Sequence, residues 1–415
     1  MLVGRRFRLD LTSDQIVVCE ATGAACRDVW NTALEQRRLY RAKGAWMNYV
    51  PQAAQLTEAR AAFPWLAEIS VEVLQQTLMD LDKACRAHGT LRVRWRSKTR
   101  WRPSFRFPRG QRIEVERMAK KWGRAKLPKL GWVRFRWSRA LDGVVRSATV
   151  SYRAGQWWIS FLVDDGKMTP SQHTGRPLGV DRGVAVMIAT SAGELLDRER
   201  ASPGETERYK RLQQKLARQK KGSNRRKLTI SKLAKAGARQ AGRTGDFCAK
   251  VAAELTARHN VIALEDLKIR NMTASARGTQ NEPGRNVRAK AKLNQAIMMK
   301  GWGRFELALA SAARRTGSRV VKVDPTYTSQ TCHRCKEVHP ESRESQAVFR
   351  CAACGHREHA DVNAARNILD RAAGPAVPGR GDLGDSRSAK RQPPVPVLVP
   401  EQRAGTRTDT GIHVA

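Results

Sequence analysis

Apolar residues change their spacing along the chain, and each spacing predicts a different kind of element. The opening segment LVGRRFRLDLT alternates apolar and basic positions with a period of two, which predicts a half-buried strand. Thr12 or Ser13 then offers a helix cap. Residues 13–88 carry two stripes at helical spacing and are predicted to form a helical unit, broken near Pro51 and Pro64. The stripes consist of Cys26, Val29, Trp30, Ala33 and Leu34, and of Val71, Leu74, Leu78 and Leu81.

A period of two returns between residues 91 and 165, where short runs are separated by turns such as Asp142-Gly143. The runs are RVRWR, FRF, WVRFRW, SATVSY and WWISFLV. They predict a small β unit whose polar face carries arginine. Interleaved tryptophan and arginine suit stacking and backbone contacts with single-stranded or hybrid nucleic acid. The alternative is a β-barrel with its aromatic side chains inside and its arginines merely solvated.

Short apolar strands and helical stretches alternate after residue 171. LGVDRGVAVMIATSAG contains two apolar runs joined by a glycine-containing turn, which predicts a β-hairpin. Residues 204–258 are basic and helical, and Gly222 and Gly237 are expected to divide them into two or more helices. The elements predicted to follow are a strand over 261–264, a flexible loop over 272–290, a helix from about 291 to 316 and the strand RVVKVD.

The net charge of the chain indicates which class of partner it binds. Its 78 Lys and Arg against 38 Asp and Glu give 78 − 38 = +40, so we expect a polyanion to bind. Nucleic acid is favoured over membrane, because no apolar run approaches the roughly 20 residues of a spanning helix. MLVGRRFRLD lacks the apolar region of a secretory signal, so a cytoplasmic protein is expected. Residues 372–415 are too poor in apolar surface to fold and are predicted to form a disordered tail.

The eight cysteines divide into two groups. Cys19, Cys26, Cys85 and Cys248 stand singly in helical stretches, and we interpret them as core residues. The other four form two C-x2-C knuckles with fifteen residues between them, which is the spacing of a four-thiolate zinc ribbon that binds one structural Zn²⁺. They are Cys332, Cys335, Cys351 and Cys354.

Three carboxylates follow or begin predicted elements in separate parts of the chain. Asp181 follows the apolar run LGV, Glu265 follows VIAL, and Asp361 begins the helical segment VNAARNIL. Hydrolysis of phosphodiesters uses two divalent ions about 4 Å apart, held by carboxylates from separate segments. These residues therefore predict a site for two Mg²⁺ ions. Asp266 competes locally with Glu265, but alternation along a strand puts the two on opposite faces, so that only one can enter the site.

Four segments of this chain carry a family resemblance: LGVDRG, ALEDLKIRNM, PTYTSQTCHRC and FRCAACGHREHADVNAARNIL. They resemble the three RuvC motifs of the TnpB family, with the zinc ribbon between the second and the third, and the resemblance covers roughly residues 1–371. TnpB proteins are RNA-guided DNA endonucleases encoded by insertion sequences and related to type V CRISPR effectors. The resemblance implies that Asp181, Glu265 and Asp361 form the catalytic triad, with Glu265 chosen over Asp266.

The resemblance also implies an α/β multidomain fold. An RNase H-like RuvC nuclease domain with an inserted zinc ribbon is expected beside a β-barrel wedge domain and a helical recognition domain. The implied boundaries are 1–12 and 91–170 for the wedge domain, 13–90 for the recognition domain, 171–327 and 357–371 for the RuvC domain, and 328–356 for the zinc ribbon.

Family members bind a guide RNA transcribed from the end of their own element and cut both strands of DNA beside a short target-adjacent motif. For this chain the resemblance implies one RNA bound to a monomer, in the bacterial cytoplasm and associated with the nucleoid. Residues 271–288 are expected to form a mobile lid over the site. The residues expected to line the channel for the RNA–DNA hybrid are Lys210, Arg211, Lys220, Arg225 and Arg226, and those expected to recognise the motif are Tyr49, Gln75 and Gln76.

Three other functions are compatible with parts of the pattern. A compact type V CRISPR effector would share the site and differ in genomic neighbourhood. A guide-directed DNA-binding repressor would keep the fold and lack a carboxylate of the triad, and none is missing here. A transposase that joins DNA ends would also use RNase H-like carboxylates, although the long basic stretch is more typical of a protein that binds RNA.

Overall fold

The computed structural model of the chain describes residues 1–99, 101–171, 174–198, 201–279, 282–345 and 347–373. The helices in chain order are α1 Ser13–Ala42, α2 Tyr49–Ala62, α3 Pro64–Ala67, α4 Val71–His88, α5 Pro203–Arg218, α6 Asn224–Arg258, α7 Ile269–Met272, α8 Val287–Lys300, α9 Trp302–Thr316 and α10 Ala360–Ala373. Of the predicted tail, residues 372 and 373 end α10, and the rest lies outside the described residues.

The strands in chain order are β1 Leu2–Asp10, β2 Ser104–Phe107, β3 Glu114–Ala119, β4 Trp122–Leu127, β5 Gly131–Arg136, β6 Val144–Arg153, β7 Gln156–Asp164, β8 Leu178–Asp181, β9 Ile188–Thr190, β10 Leu195–Leu196, β11 Val261–Glu265, β12 Arg319–Val323, β13 Val348–Arg350 and β14 Arg357–His359. In the part of the chain described, no helix is both long and apolar enough to cross a membrane.

The first strand completes a sheet made from much later segments. Seven strands lie in the order β2-β6-β7-β1-β5-β4-β3, with antiparallel pairing throughout. Alternation turns Phe7 of β1 inward, where its ring lies 5.1 Å from Phe135 and 5.9 Å from Phe161, measured between centroids. Thus β1 and the 91–165 segment form one β unit. The run RVRWR was expected to be a strand and is not one, because the carbonyls of Arg94 and Arg96 accept hydrogen bonds from Trp30 and Asn31 of α1.

The helical unit packs against the inner face of this sheet. Thr12 caps α1, accepting from the Gln15 backbone N–H while the Gln15 side chain bonds back to Thr12. Both apolar stripes face inward, and they share one core with the sheet. Cys19 and Cys26 are buried there as expected, and burial raises the pKa of the two thiols to about 12 and about 11. Arg37 is buried with them and pairs with Asp82 at 2.8 Å.

A second, smaller sheet has parallel strands at its centre. Its five strands lie in the order β10-β9-β8-β11-β12, with β8, β11 and β12 parallel and the predicted hairpin of β8 and β9 antiparallel. Phe305 and Leu309 of α9 pack with Cys248 of α6 against the sheet. Helix α10 crosses β8 so closely that a Cβ on Gly179 would lie 2.0 Å from the Ala365 carbonyl oxygen. This part of the chain is therefore an α/β structure with helices packed on its sheet.

Two predicted helix boundaries were wrong. The predicted break at Gly222, which has a φ of 86°, is confirmed, but Gly237 does not interrupt α6, because the helix continues from Asn224 to Arg258. The helix expected over 291–316 is two helices, α8 and α9, separated by Gly301 in the left-handed conformation. Because α8 begins at Val287, the predicted loop is also shorter than expected at its C-terminal end.

Candidate active site

Three acidic side chains from distant segments meet at one edge of the five-stranded sheet. Asp181 ends β8 and Glu265 ends β11, and these strands are parallel neighbours with Val180 paired to Leu264, so their carboxyl ends lie side by side. Asp361 lies in the first turn of α10. A Cβ on Gly183, just after β8, would lie 3.2 Å from Asp361 Oδ2. The structure thus brings together the three carboxylates that the sequence singled out, and their catalytic role stays a prediction.

Burial is the main influence on the pKa values of Asp181 and Glu265. Burial raises the pKa of Asp181 to about 7, and the charges of Glu265 and Asp361 contribute further to that rise. Burial likewise raises the pKa of Glu265. Crowded, desolvated carboxylates take up either protons or cations, since both relieve the repulsion. The cluster therefore has the chemistry of a cation site built from oxygen ligands, which Mg²⁺ prefers.

Each carboxylate accepts a hydrogen bond from a different part of the chain. Asp181 Oδ1 accepts from the Arg182 backbone N–H at 2.8 Å, and Asp361 Oδ1 accepts from Arg343 Nη2 at 3.0 Å. Glu265 Oε1 accepts from the Thr328 hydroxyl. Arg343 belongs to the segment predicted to form the zinc ribbon, and it was not among the predicted site residues.

Arg182 is a further residue that the sequence interpretation missed. Although it is adjacent to Asp181, its side chain is buried, and Nη2 donates to the backbone carbonyl of Glu265 at 2.6 Å. Nη1 donates to Glu306 of α9 at 3.2 Å. Arg182 therefore fastens the ends of β8 and β11 to each other. The motif LGVDRG contained this residue, but a basic residue beside an acidic one carries no sequence signal of burial.

The alternation argument for Glu265 and Asp266 agrees with the geometry. Asp266 lies outside the cluster and pairs with Lys268 at 2.5 Å and with Lys322 at 3.5 Å. The Lys268 hydrogen bond is the main reason why the pKa of Asp266 is lowered, whereas that of Glu265 is raised. Glu265, the last residue of β11, and Asp266, the residue after it, thus have opposite environments.

The four cysteines predicted to bind zinc form a second cluster. Cys332, Cys335, Cys351 and Cys354 have ligand atoms within 4.8 Å of one another, with Sγ–Sγ separations of 3.7 Å for the outer pair and 3.5 Å for the inner pair. Zn–S bonds of about 2.3 Å in a tetrahedron place sulfur atoms about 3.8 Å apart, so the cluster fits zinc. Within the described ranges, the three carboxylates do not form so compact a single-ion group.

The basic residues predicted to line a nucleic-acid channel lie on α5, α6 and the turn between them. Lys210, Arg211, Lys220 and Arg225 are exposed. Arg226 does not fit the prediction. Its guanidinium donates to the carbonyls of Leu216 and Gln219, so its charge is directed at the C-terminal end of α5 rather than at solvent.

The residues predicted to recognise a motif are less accessible than expected. Gln76 is only 9% exposed, and its Nε2 donates to Asp80 at 2.8 Å, so a contact with DNA does not fit its position. Tyr49 begins α2 and packs, half-buried, against the core. Gln75 is half-buried on α4 and stays a candidate.

The outer face of the seven-stranded sheet presents tryptophan and arginine in contact. Phenylalanine side chains and Trp157 fill the inner face, but other tryptophans point outward and are covered by guanidinium groups. The pairs are Arg124 with Trp132, Arg134 with Trp122 and Arg6 with Trp158, with guanidinium carbons 4.3, 4.7 and 5.3 Å from the ring centroids. Aromatic side chains thus lie on both faces of the sheet, and binding of nucleic acid by the outer face stays a prediction. This outer face combines positive charge with flat apolar surface, a combination that suits contact with nucleic acid.

Three family models match parts of the chain. A model described as a probable transposase matches residues 143–276, a Cas12f1-like TNB domain matches residues 302–368, and a helix-turn-helix domain matches residues 1–45. Together they cover α1, the five-stranded sheet, the cysteine cluster, and β1, β6 and β7 of the seven-stranded sheet. In the structure, residues 1–45 contain one strand and one long helix.

Curated proteins are similar over nearly the whole length. The putative RNA-guided DNA endonuclease InsQ of Escherichia coli (strain K12) is 36% identical over 398 residues, which are 95% of this chain and 97% of InsQ. A putative RNA-guided DNA endonuclease of Streptomyces pristinaespiralis is 29% identical, over 91% of this chain and 90% of its own length. Among solved structures, a Cas12f1–sgRNA–target DNA complex aligns over 86% of this chain and 83% of that chain, with 13% identity and a TM-score of 0.47.

Proposed function

The chain belongs to the TnpB family of insertion-sequence-encoded RNA-guided DNA endonucleases, and on this premise we propose that its carboxylate cluster hydrolyses target DNA under the direction of a guide RNA. One observation carries the proposal. In a chain of charge +40, three acidic side chains from three separate segments gather at one sheet edge, with Asp361 buried and Asp181 and Glu265 half-buried. Such an arrangement costs folding free energy unless cations bind there, and this is the expected signature of a metal-dependent nuclease.

Asp181, Glu265 and Asp361 would hold two Mg²⁺ ions. Bound Mg²⁺ would supply an activated water and stabilise charge on the leaving oxygen. Asp181 is affected by both of the other carboxylates, so it is the residue suited to be shared between two ions. Arg182 keeps the strand ends together, and Arg343 offsets part of the negative charge beside Asp361.

Basic surfaces of the protein would hold the nucleic acids. Lys210, Arg211, Lys220 and Arg225 are placed to contact phosphates of a guide–target hybrid, and the outer tryptophan–arginine face suits the guide RNA. Base pairing would select the sequence, and the protein would contact the backbone and a short motif beside the target. We further propose a monomer bound to one RNA, acting in the bacterial cytoplasm near the nucleoid and cutting both strands at one site.

Co-purified RNA provides the test of this function. Because the protein would retain its guide, the purified protein should carry one RNA species of defined sequence. After reprogramming, that RNA should direct Mg²⁺-dependent linearisation of a plasmid that contains the matching target and adjacent motif. The control is the same plasmid with a scrambled target. Random RNA fragments in the preparation, or DNA joining that needs no RNA, would contradict the proposal, and the second result would favour a transposase.

Metal binding should depend on pH through Asp181. Its pKa of about 7, raised by burial and by Glu265, means that the carboxylate holds a proton in acid and loses it as the pH rises. A divalent cation must displace that proton, so the affinity for Mg²⁺ should fall as the pH decreases through 7. Calorimetric titration of Mg²⁺ in buffers of different ionisation enthalpy should detect more protons released on Mg²⁺ binding at pH 6 than at pH 8. Equal release at both values would contradict the prediction.

A further inference from the structure

A buried hydroxyl contacts one of the carboxylates proposed to be catalytic. Thr328 is 2% exposed, and its Oγ1 donates to Glu265 Oε1. The carbonyl of Pro325, at 3.0 Å from the same Oγ1, is a second possible acceptor. A hydroxyl has one proton, and an ionised carboxylate accepts it more strongly than a neutral carbonyl does. The contact therefore holds one oxygen of Glu265 in a fixed orientation.

Helix α10 holds the main chain around Thr328 in place. Asn367 is buried on this helix, and its Nδ2 donates to the Thr328 carbonyl at 3.0 Å and to the Thr331 carbonyl at 2.7 Å. Asn363, one turn earlier, donates to the same Thr331 carbonyl at 2.8 Å. Residues four apart lie on one face of a helix, so the two amides act on one segment. That helix also carries Asp361.

The same helix is fastened to the first cysteine knuckle. Asn363 Oδ1 accepts from the backbone N–H of His333 at 2.9 Å, and His333 directly follows Cys332. Both asparagines are almost completely buried, and buried amides left without partners are costly. The knuckle, the Thr328 segment and the helix of Asp361 therefore form one continuous polar network.

From this network we infer that Thr328 is a positioning residue for Glu265, and that Asn363 and Asn367 couple the cysteine knuckle to the active site. The inference rests on the proposed function, because it assumes that Glu265 holds a metal ion. Thr328 would fix one oxygen of Glu265 and so reduce the reorientation that binding of the ion requires. The zinc ribbon would thereby support catalysis, whereas the cysteine spacing by itself predicted only a structural zinc ion.

Removal of the hydroxyl at nearly constant volume tests the inference. Thr328→Val keeps the branched shape and loses the donor, whereas Thr328→Ser keeps the donor. A hydrogen bond to a charged group is worth roughly a tenfold to hundredfold change in an equilibrium. We expect Thr328→Val to raise the Mg²⁺ concentration for half-maximal cleavage by about that factor, and Thr328→Ser to stay within about threefold of wild type. Guide-dependent binding of target DNA should be unchanged in both.

Calorimetric titration of Mg²⁺ into the guide-loaded protein without target gives a second readout, independent of cleavage. It should show weaker binding for Thr328→Val and near-normal binding for Thr328→Ser. Thr22→Val is the matched control, because Thr22 is also buried and donates to a carbonyl of its own helix, that of Val18 at 2.8 Å. It should cut and bind Mg²⁺ as wild type does.

Asn367→Asp tests the inferred coupling between the cysteine knuckle and the active site. This variant keeps the side-chain shape but removes the donors to Thr328 and Thr331, so Mg²⁺ dependence should shift in the same direction as in Thr328→Val. Glu265→Gln is expected to abolish cleavage. Given that result, the inference is overturned by wild-type Mg²⁺ dependence in Thr328→Val, by a weakened Mg²⁺ dependence in Thr328→Ser, or by unchanged Mg²⁺ dependence in Asn367→Asp. Undiminished cleavage by Glu265→Gln would instead overturn the proposed function itself.

Discussion

Replacement of Asp181 by asparagine should abolish target cleavage and leave guide-dependent DNA binding intact. The amide has the same shape but no charge, so it cannot serve as the anionic ligand shared with Glu265 and Asp361. Metal-ion stabilisation of the reaction is worth several kcal/mol, and each 1.36 kcal/mol is tenfold in rate, so the loss should be at least roughly a thousandfold. Single-turnover cleavage of a guide-matched plasmid would measure the rate, and gel-shift titration would measure binding.

The folded protein should gain stability from the same change. The ionised Asp181 carboxylate lowers the stability of the folded protein, because it is buried and is repelled by two neighbouring carboxylates. Asparagine carries no charge and removes both costs. A rise in melting temperature together with lost cleavage would separate a functional role from a structural one.

Asp266 provides a matched control for the Asp181 variant. It is an acidic residue adjacent to Glu265, but it is paired with Lys268 outside the cluster. Asp266→Asn should therefore cut at close to the wild-type rate. Wild-type cleavage by Asp181→Asn would remove the carboxylate cluster from the mechanism, whatever the result with Asp266.

Loss of one zinc ligand should unfold the ribbon and strongly reduce cleavage. The ribbon contains the three-residue strand β13, which pairs with β14 just after it, and its core is little more than Phe349, the cysteines and the adjoining Ala360, which is too small to fold unaided. Structural zinc contributes about 10–16 kcal/mol to folding in zinc-finger peptides. Without it Arg343 should leave Asp361, and the Thr328 segment should lose its attachment to Glu265.

Cys351→Ala is the variant that tests the role of zinc. Zinc content should fall from one ion per chain to nearly none, and hydrogen exchange over residues 328–356 should become fast while the seven-stranded sheet stays protected. Cys248→Ala is the control, because Cys248 is a buried helix cysteine outside the cluster. It should retain zinc and cleavage. Full zinc occupancy and a protected ribbon in Cys351→Ala would refute the four-thiolate site.

Local patterns in the sequence predicted much of what the structure contains. Alternation predicted β1, two apolar runs joined by a turn predicted the hairpin of β8 and β9, Thr12 was predicted as the cap of α1, and cysteine spacing predicted the four-cysteine cluster. Predictions from local patterns succeed because the direction of side chains along a strand or helix depends only on residues close in sequence. The wrong helix boundaries show that a glycine in the sequence does not by itself mark the end of a helix. Gly237 is tolerated within α6, whereas Gly301 separates two helices where a Cβ would lie 2.7 Å from Thr244 Cγ2.

The placement of individual polar side chains was the least predictable feature. Gln76 and Arg226 were expected to contact nucleic acid, yet Gln76 donates a hydrogen bond to Asp80 and Arg226 donates to carbonyls at the C-terminal end of α5. Conversely, Arg182 and Thr328 had no sequence signal and contact Glu265. A polar residue in the sequence is equally compatible with solvent, a ligand or a buried partner, because the partner lies far along the chain.

By itself the sequence determined the chemical types present in this protein: acidic residues at element ends, paired cysteine knuckles, basic helices and an arginine-bearing sheet. Those follow from composition and short-range spacing. Only the tertiary structure decided that β8, β11 and α10 bring Asp181, Glu265 and Asp361 to one edge, and that Thr328, Asn367 and Arg182 support them. The physical reason is that hydrogen bonds and desolvation act over a few ångströms in space, whatever number of residues separates the partners.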